Sequence, residues 1–457
     1  MKKIIFISLF VLQVLFLGYW KTPLLAEYRA LWISLFLMSL LYSFILRPWR
    51  KTRLVASFIL LLFFIYQDQE IRIQKMQVLS TNPQILEELG KHIIVGYRNF
   101  DEVKSLVEKG AIGGVFLTYR NTYGKGMEDF QFEIQTLQNI QKEKGRPPLI
   151  ISTDQEGGMV SKLGKFVSPQ TPLSQLLEDH PSSENLKWKV EDYARQQARN
   201  LKALGINVNL SPVVDLKPLE LPRFQDLHTR ISDRAISSDP NQVIEVAKVY
   251  LKTYEQEEMI ATLKHFPGLQ KIQTDTHLHA GVLEEPVEKL EENDFKPFRQ
   301  LADETEAWMM LGHVQVKNLD AQEMVPFSQK IIQDLLRNQW NYRKILISDD
   351  FCMGPIFHRK GGLKQAGIDA LNAGLDLILI AYDPDQYYSL MNGLIQASQK
   401  GELSTLRLKE SRERLNTALL TIAKEKNDTT VLDQHSIHSY FSASLLGSAS
   451  ALFEVDF

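Results

Sequence analysis

Leu149-Ile-Ile-Ser-Thr-Asp-Gln-Glu-Gly-Gly158 joins a short run that opens on three apolar residues, Leu149–Thr153, to an acid and a double-glycine turn. A run this short, bounded by turn residues and followed by a helical pattern, reads as a buried strand. The same signature recurs on both sides of it. The other candidate strands are His92–Val95, Gly114–Leu117, Val208–Pro212, Met259–Leu263, Trp308–Leu311, Ile345–Ile347 and Leu377–Ile380. Between them lie helical patterns such as Asp101–Lys109, Glu184–Leu204, Asn241–Glu258 and Pro326–Asn338. Strict alternation of strand and helix implies a parallel sheet of the α/β class. Eight units over roughly 350 residues fit a (β/α)8 TIM-type barrel. A doubly wound open sheet is the alternative, weakened because no Gly-rich dinucleotide fingerprint follows the first strand.

The polar residues sit where such a barrel keeps its chemistry. Asp154, Asp215, Lys264, His265, His313, Asp349, Asp350 and Asp383 each follow the carboxyl end of a candidate strand. One alone would be a salt-bridged loop charge or an N-cap. All at one end point to an enzyme whose carboxylates, histidines and lysine converge on a single mouth. His265, His277 and His313 show no metal-ligand spacing, so neither a metal nor any other cofactor is expected. Paired acids with a hydrogen-bonding Lys and Arg suit a neutral, hydroxyl-rich substrate such as a sugar.

The chain of 457 residues carries 52 basic against 55 acidic side chains, which excludes a strongly basic nucleic-acid binder. A hydrophobic share of 44% supports a sizeable core, and the single cysteine, Cys352, rules out an intramolecular disulfide. The mean hydropathy of −0.17 hides an apolar N-terminus. Runs at Ile4–Trp20, Ala30–Leu46 and Leu54–Tyr66 predict a membrane anchor of two to three transmembrane helices over 1–66. The third run is the short one, with only about 13 uncharged residues. A bundle of buried helices, or a cleaved signal peptide in place of the first run, are the alternatives. Lys2, Lys3 and the Arg47–Arg53 cluster would face the cytoplasm, leaving the rest on the periplasmic or extracellular side of the cell membrane. A polar linker at 67–82, a catalytic domain at 83–430 and a tail at 431–457 complete the expected organisation.

These motifs, taken together, resemble the single-domain bacterial β-N-acetylglucosaminidases of glycoside hydrolase family 3. Ile151-Ser-Thr-Asp-Gln-Glu-Gly-Gly158 is similar to the family's Asp-Gln-Glu-Gly-Gly motif, and Gly205–Asp215 to its Pro-Val-x-Asp strand. Arg234-Ala-Ile-Ser-Ser-Asp-Pro240, Lys264-His-Phe-Pro-Gly268, Asp275-Thr-His277 and Ile347-Ser-Asp-Asp350 with Met353-Gly354 follow in the family's order. The resemblance implies a retaining double displacement on terminal β-linked N-acetylglucosamine of a glycan or muropeptide. It implies Asp349 as nucleophile, with Asp350 the rival, and His277 as general acid/base oriented by Asp275. Asp154, Arg234, Lys264 and His265 would bind the sugar hydroxyls. Leu269 and Gln270 stand where the family usually has His-Gly, and Met159 where it often has Arg. Another β-glycosidase or a phosphorylase, and an inactive glycan-binding barrel, remain alternatives.

Overall fold

The computed structural model describes residues 50–178, 182–220 and 228–428, with a few isolated positions before residue 50. Eight parallel strands close on themselves: β1 (Ile93–Gly96), β2 (Gly114–Leu117), β3 (Ile150–Thr153), β4 (Val208–Asn209), β5 (Ile260–Phe266), β6 (Trp308–Leu311), β7 (Leu346–Asp350) and β8 (Leu377–Ile380). Each neighbours the next in sequence, and β1 seals the ring by pairing Ile93 with Ile378 and Ile94 with Leu379. Closure excludes the open doubly wound sheet.

The helices between strands are α1 (Phe100–Glu108), α2 (Met127–Glu143), α3 (Ser183–Ala203), α4 (Pro240–Gln256), α5 (Phe295–Glu304), α6 (Lys330–Gln339) and α7 (Gly362–Ala373), and α8 (Gln386–Lys400) follows β8. Local chemistry starts several of them. The side chains of Asn99, Ser182 and Asp239 accept first-turn N–H groups of α1, α3 and α4, and Pro240 occupies the first turn of α4. Because both faces of every strand are covered, the strands are continuous apolar runs rather than alternating ones. Ile94, Phe116, Ile150, Val208, Trp308, Met310, Ile347 and Leu379 fill the barrel interior. Leu415 and Ile422 of the helix Thr405–Asp428 join the same cluster.

The N-terminal expectation is corrected. Leu54–Tyr66 belongs to the helix Arg50–Leu79, and among the described residues no helix is long and apolar enough to cross a membrane. The physical reason is the length of the apolar stretch. It lies between Arg53 and Asp68, and about 13 residues at 1.5 Å each reach roughly 20 Å of the 30 Å a bilayer core requires. The stretch expected as a linker is helical through Leu79 and docks on α8, where Gln77 accepts from Asn392, and on α1, where Lys75 pairs with Glu102. The run Ile4–Trp20, most of Ala30–Leu46 and the tail 431–457 lie outside the described residues.

Candidate active site

The carboxyl ends of the strands surround a cavity of about 420 Å³. Asp154, Lys264, His265, His277, Asp349 and Asp350 all line it. They come from the ends of β3, β5 and β7 and from the loop after β5, so residues nearly 200 positions apart share one mouth. A register shift of β5 against β6 between Leu263 and Phe266 interrupts regular pairing where Lys264 and His265 sit.

The two adjacent acids of β7 have different surroundings. Asp350 is used up by the backbone: Oδ1 accepts the N–H groups of Cys352 and Ala381, and Oδ2 that of Tyr382, all at 2.9 Å. Burial raises its pKa despite those bonds. The carboxylate therefore ties the β7 loop to the end of β8. Asp349 accepts one backbone N–H, from Asp350 at 2.7 Å. Burial would raise its pKa too, but His265, His313 and His277 together hold it below the usual carboxylate value. His313 is buried, donates Nε2–H to the Asp350 carbonyl, and has its pKa lowered by desolvation.

His277 and Asp275 form a dyad on the loop after β5. His277 Nδ1 lies 3.0 Å from Asp275 Oδ1, which directs the other ring nitrogen away from the carboxylate. Asp275 is buried and also accepts the His277 N–H, the His228 N–H and the Thr229 hydroxyl. These bonds outweigh its burial and depress its pKa. The loop is held at both ends. Gly281 of the short ribbon Gly281–Leu283 pairs with Val314, and the Gly354 N–H donates to the His277 carbonyl at 2.7 Å. A Cβ at Gly354 would lie 2.5 Å from the Leu278 carbonyl oxygen, so only glycine permits this approach.

A second cluster carries the charges expected to bind sugar. Lys264 is 1% exposed and contacts both Asp154 and Glu156, and these carboxylates keep its pKa raised against the pull of desolvation. Arg234 binds Glu156 with two hydrogen bonds, at 2.9 and 2.7 Å. It stands behind His265, 3.4 Å from Nε2, and is not among the cavity-lining residues. Asp215 accepts both Nδ1–H and N–H of His265, and its other oxygen accepts the Leu269 N–H. Thus Arg234 and Asp275 brace the residues that line the mouth. Sequence reasoning gave no role to Glu156, although it stands in the quoted Asp-Gln-Glu-Gly-Gly motif. It also passed over Lys162 and Tyr119, which line the cavity. Leu269 is buried in the outer core, and neither it nor Gln270 nor Met159 lines the cavity.

The profile of the Glycosyl hydrolase family 3 N terminal domain matches residues 75–418. A beta-hexosaminidase of Nitrosomonas eutropha is 32% identical over 288 residues, covering 62% of this chain and 77% of that protein. The beta-hexosaminidase LpqI of Mycobacterium tuberculosis is 28% identical over 69% of this chain and 78% of its own length. The solved structure of the latter superposes with a TM-score of 0.62 at 27% identity, over 72% of this chain and 92% of that one. A family 3 beta-N-acetylglucosaminidase structure from Paenibacillus gives a TM-score of 0.67 at 24% identity, over 76% and 64% of the respective chains.

Proposed function

The chain belongs to glycosyl hydrolase family 3, and from that premise we propose that it cleaves terminal β-linked N-acetylglucosamine by double displacement at Asp349. The Asp349 carboxylate attacks the anomeric carbon while the bond to the leaving oxygen breaks, and His277 delivers its proton to that oxygen. Water then attacks the glycosyl ester, the now neutral His277 accepts its proton, and Asp349 is released as carboxylate. Asp154, Lys264 and His265 hold sugar hydroxyls, while Arg234 orders Lys264 through Glu156. The observation that carries the reading is the contrast on β7. Asp349 faces the cavity with its ionised form favoured, whereas Asp350 spends both oxygens on backbone. Lys162 and Arg120 at the rim suit an acidic leaving group, which favours peptidoglycan fragments as the source. Leu269, buried away from the mouth, gives no support to an inactive barrel.

The test is the acid. General acid assistance contributes roughly 10²–10⁴ in rate, and poor leaving groups need it most. His277→Ala should therefore impair hydrolysis of natural disaccharides far more than that of an activated aryl glycoside. Azide should restore part of the aryl turnover, since it attacks the ester without a base. Equal losses on both substrates with no azide effect would remove His277 from the role.

A further inference from the structure

Asp294, immediately before α5, is 1% exposed, yet neither of its carboxylate oxygens has a hydrogen-bond partner. It does not cap the helix it precedes. Lys271 Nζ lies 3.6 Å from Oδ2, and 3.7 Å from Glu285 on its other side. Lys271 belongs to the stem of the loop that carries Asp275 and His277. Against the opposite side of Asp294 comes Gly268, at φ +108°, so close that a Cβ there would stand 3.0 Å from the Asp294 Cβ. The carboxyl is therefore wedged behind the segment joining Lys264 and His265 to the acid/base loop.

We propose that Asp294, Lys271 and Glu285 form a latch on the stem of the acid/base loop, with Asp294 as its positioning residue. The latch rests on the assignment of His277 as acid/base for its effect on turnover. A buried carboxylate without hydrogen bonds is costly when charged. Burial pushes its pKa up to about 6, with Glu285 and Asp215 adding to the rise and Lys271 opposing it. Among the described residues, Lys271, Glu285 and Asp215 are the charged groups that act on it most strongly. The closed loop favours neutral Asp294, so closure is tightest in mild acid and loosens as pH rises through about 6. Opening that returned the carboxyl to its ordinary pKa would be favoured by at most on the order of a hundredfold at neutral pH relative to pH 4.

Hydrogen exchange of the amides at 270–279 in the full-length protein, corrected for intrinsic rates, reads the latch between pH 4.5 and 8. Wild-type protection should fall severalfold through pH 6, and Asp294→Asn should stay protected across the range. Lys271→Met should move the inflection to higher pH, and Lys271→Arg should return it. The disaccharide kcat should follow the same curves, with KM changing less. Superimposable protection curves for wild type and Asp294→Asn would overturn the latch. If Asp294→Asn fails to fold, an inflection unmoved by Lys271→Met would overturn it equally. Separated protection curves with equal effects on disaccharide and activated aryl substrates would support the latch while removing His277 as the acid.

Discussion

Replacing Glu156 with Gln tests the buried charge cluster with almost no change of shape. Glu156 is 6% exposed and receives two hydrogen bonds from Arg234, while Lys264 Nζ stands 2.5 Å from its Oε1. Gln keeps one acceptor but turns an N–H₂ toward a cation, so at least one of those charge-assisted bonds is lost and another weakened. At about 1.5–3 kcal/mol for each bond to a charged group, the direct loss is roughly 3–5 kcal/mol. Breaking a buried ion pair from one side gives the same range, because Arg234 and Lys264 would keep their charges with Asp154 as the remaining carboxylate contact to Lys264. Guanidinium denaturation at pH 7 should therefore show a loss of about 4 kcal/mol. KM for an aryl β-N-acetylglucosaminide should rise with it, since Lys264 is no longer held in register. The pH dependence supplies a second check. Burial opposes ionisation of Glu156, but Arg234 and Lys264 overcome it and depress its pKa below the ordinary 4.5. Its contribution is thus complete above about pH 4.5 and fades as pH falls through the depressed value, so wild type and variant should converge in acid. A loss below about 1 kcal/mol with KM unchanged would refute the argument, showing that the cluster neither supports the barrel nor orders Lys264.

Gly354→Ala should drive the His277 loop away from β7, because its Cβ would stand 2.5 Å from the Leu278 carbonyl oxygen and force residue 354's N–H off the His277 carbonyl. Misplacement of about 1 Å costs on the order of 10²-fold, so kcat on disaccharides should fall by about that factor while sugar binding persists; an unchanged kcat would show that the contact does not position His277. Asp349→Asn should abolish turnover and leave the melting temperature nearly unchanged, and a slow fluorinated glycoside should label Asp349 of the wild type, as read by mass spectrometry of the labelled peptide. Asp350→Asn should instead destabilise by roughly 1–3 kcal/mol, because an amide replaces a carboxylate that accepts three backbone N–H groups. A label on Asp350 would reverse the assignment.

The barrel is legible because its strands are buried on both faces, so each appears as a short apolar block. Gly114–Leu117, Trp308–Leu311 and Leu377–Ile380 coincide with the expected boundaries. The β5 strand runs on to Phe266, beyond its apolar part, because Lys264 and His265 are polar yet belong to the strand and point their chemistry at the cavity. Periodicity cannot see a strand that continues through functional residues. Glu156 went unassigned for a related reason. Its partners stand 78 and 108 positions away, and a row of charges does not reveal which of them pair. The N-terminal helix misled in the opposite direction. An apolar run without a polar face reads as a membrane span, although its charged continuation from Asp68 onward packs along α8.

The division of labour between Asp349 and Asp350 illustrates why spacing alone left two candidates. Adjacent acids at a strand end are equivalent in sequence, and desolvation raises the pKa of both. Their fates separate through contacts that only the closed barrel creates. Three imidazoles, drawn from the ends of β5 and β6 and from the acid/base loop, stabilise charge on Asp349. Asp350 meets backbone amides and the field of Asp349 itself, so its ionised form gains less than its burial costs. A nucleophile must be charged, accessible and held by few competing bonds, and these conditions coincide at Asp349. The same geometry makes the pair interdependent. Asp350 fixes the β8 end against the β7 loop, the Gly354 amide in that loop holds His277, and His277 is among the groups that favour ionised Asp349. His277 on the loop after β5 and Asp349 at the end of β7 are therefore positioned by one continuous set of contacts, and a break at Asp350 should reach the proposed chemistry without touching the sugar.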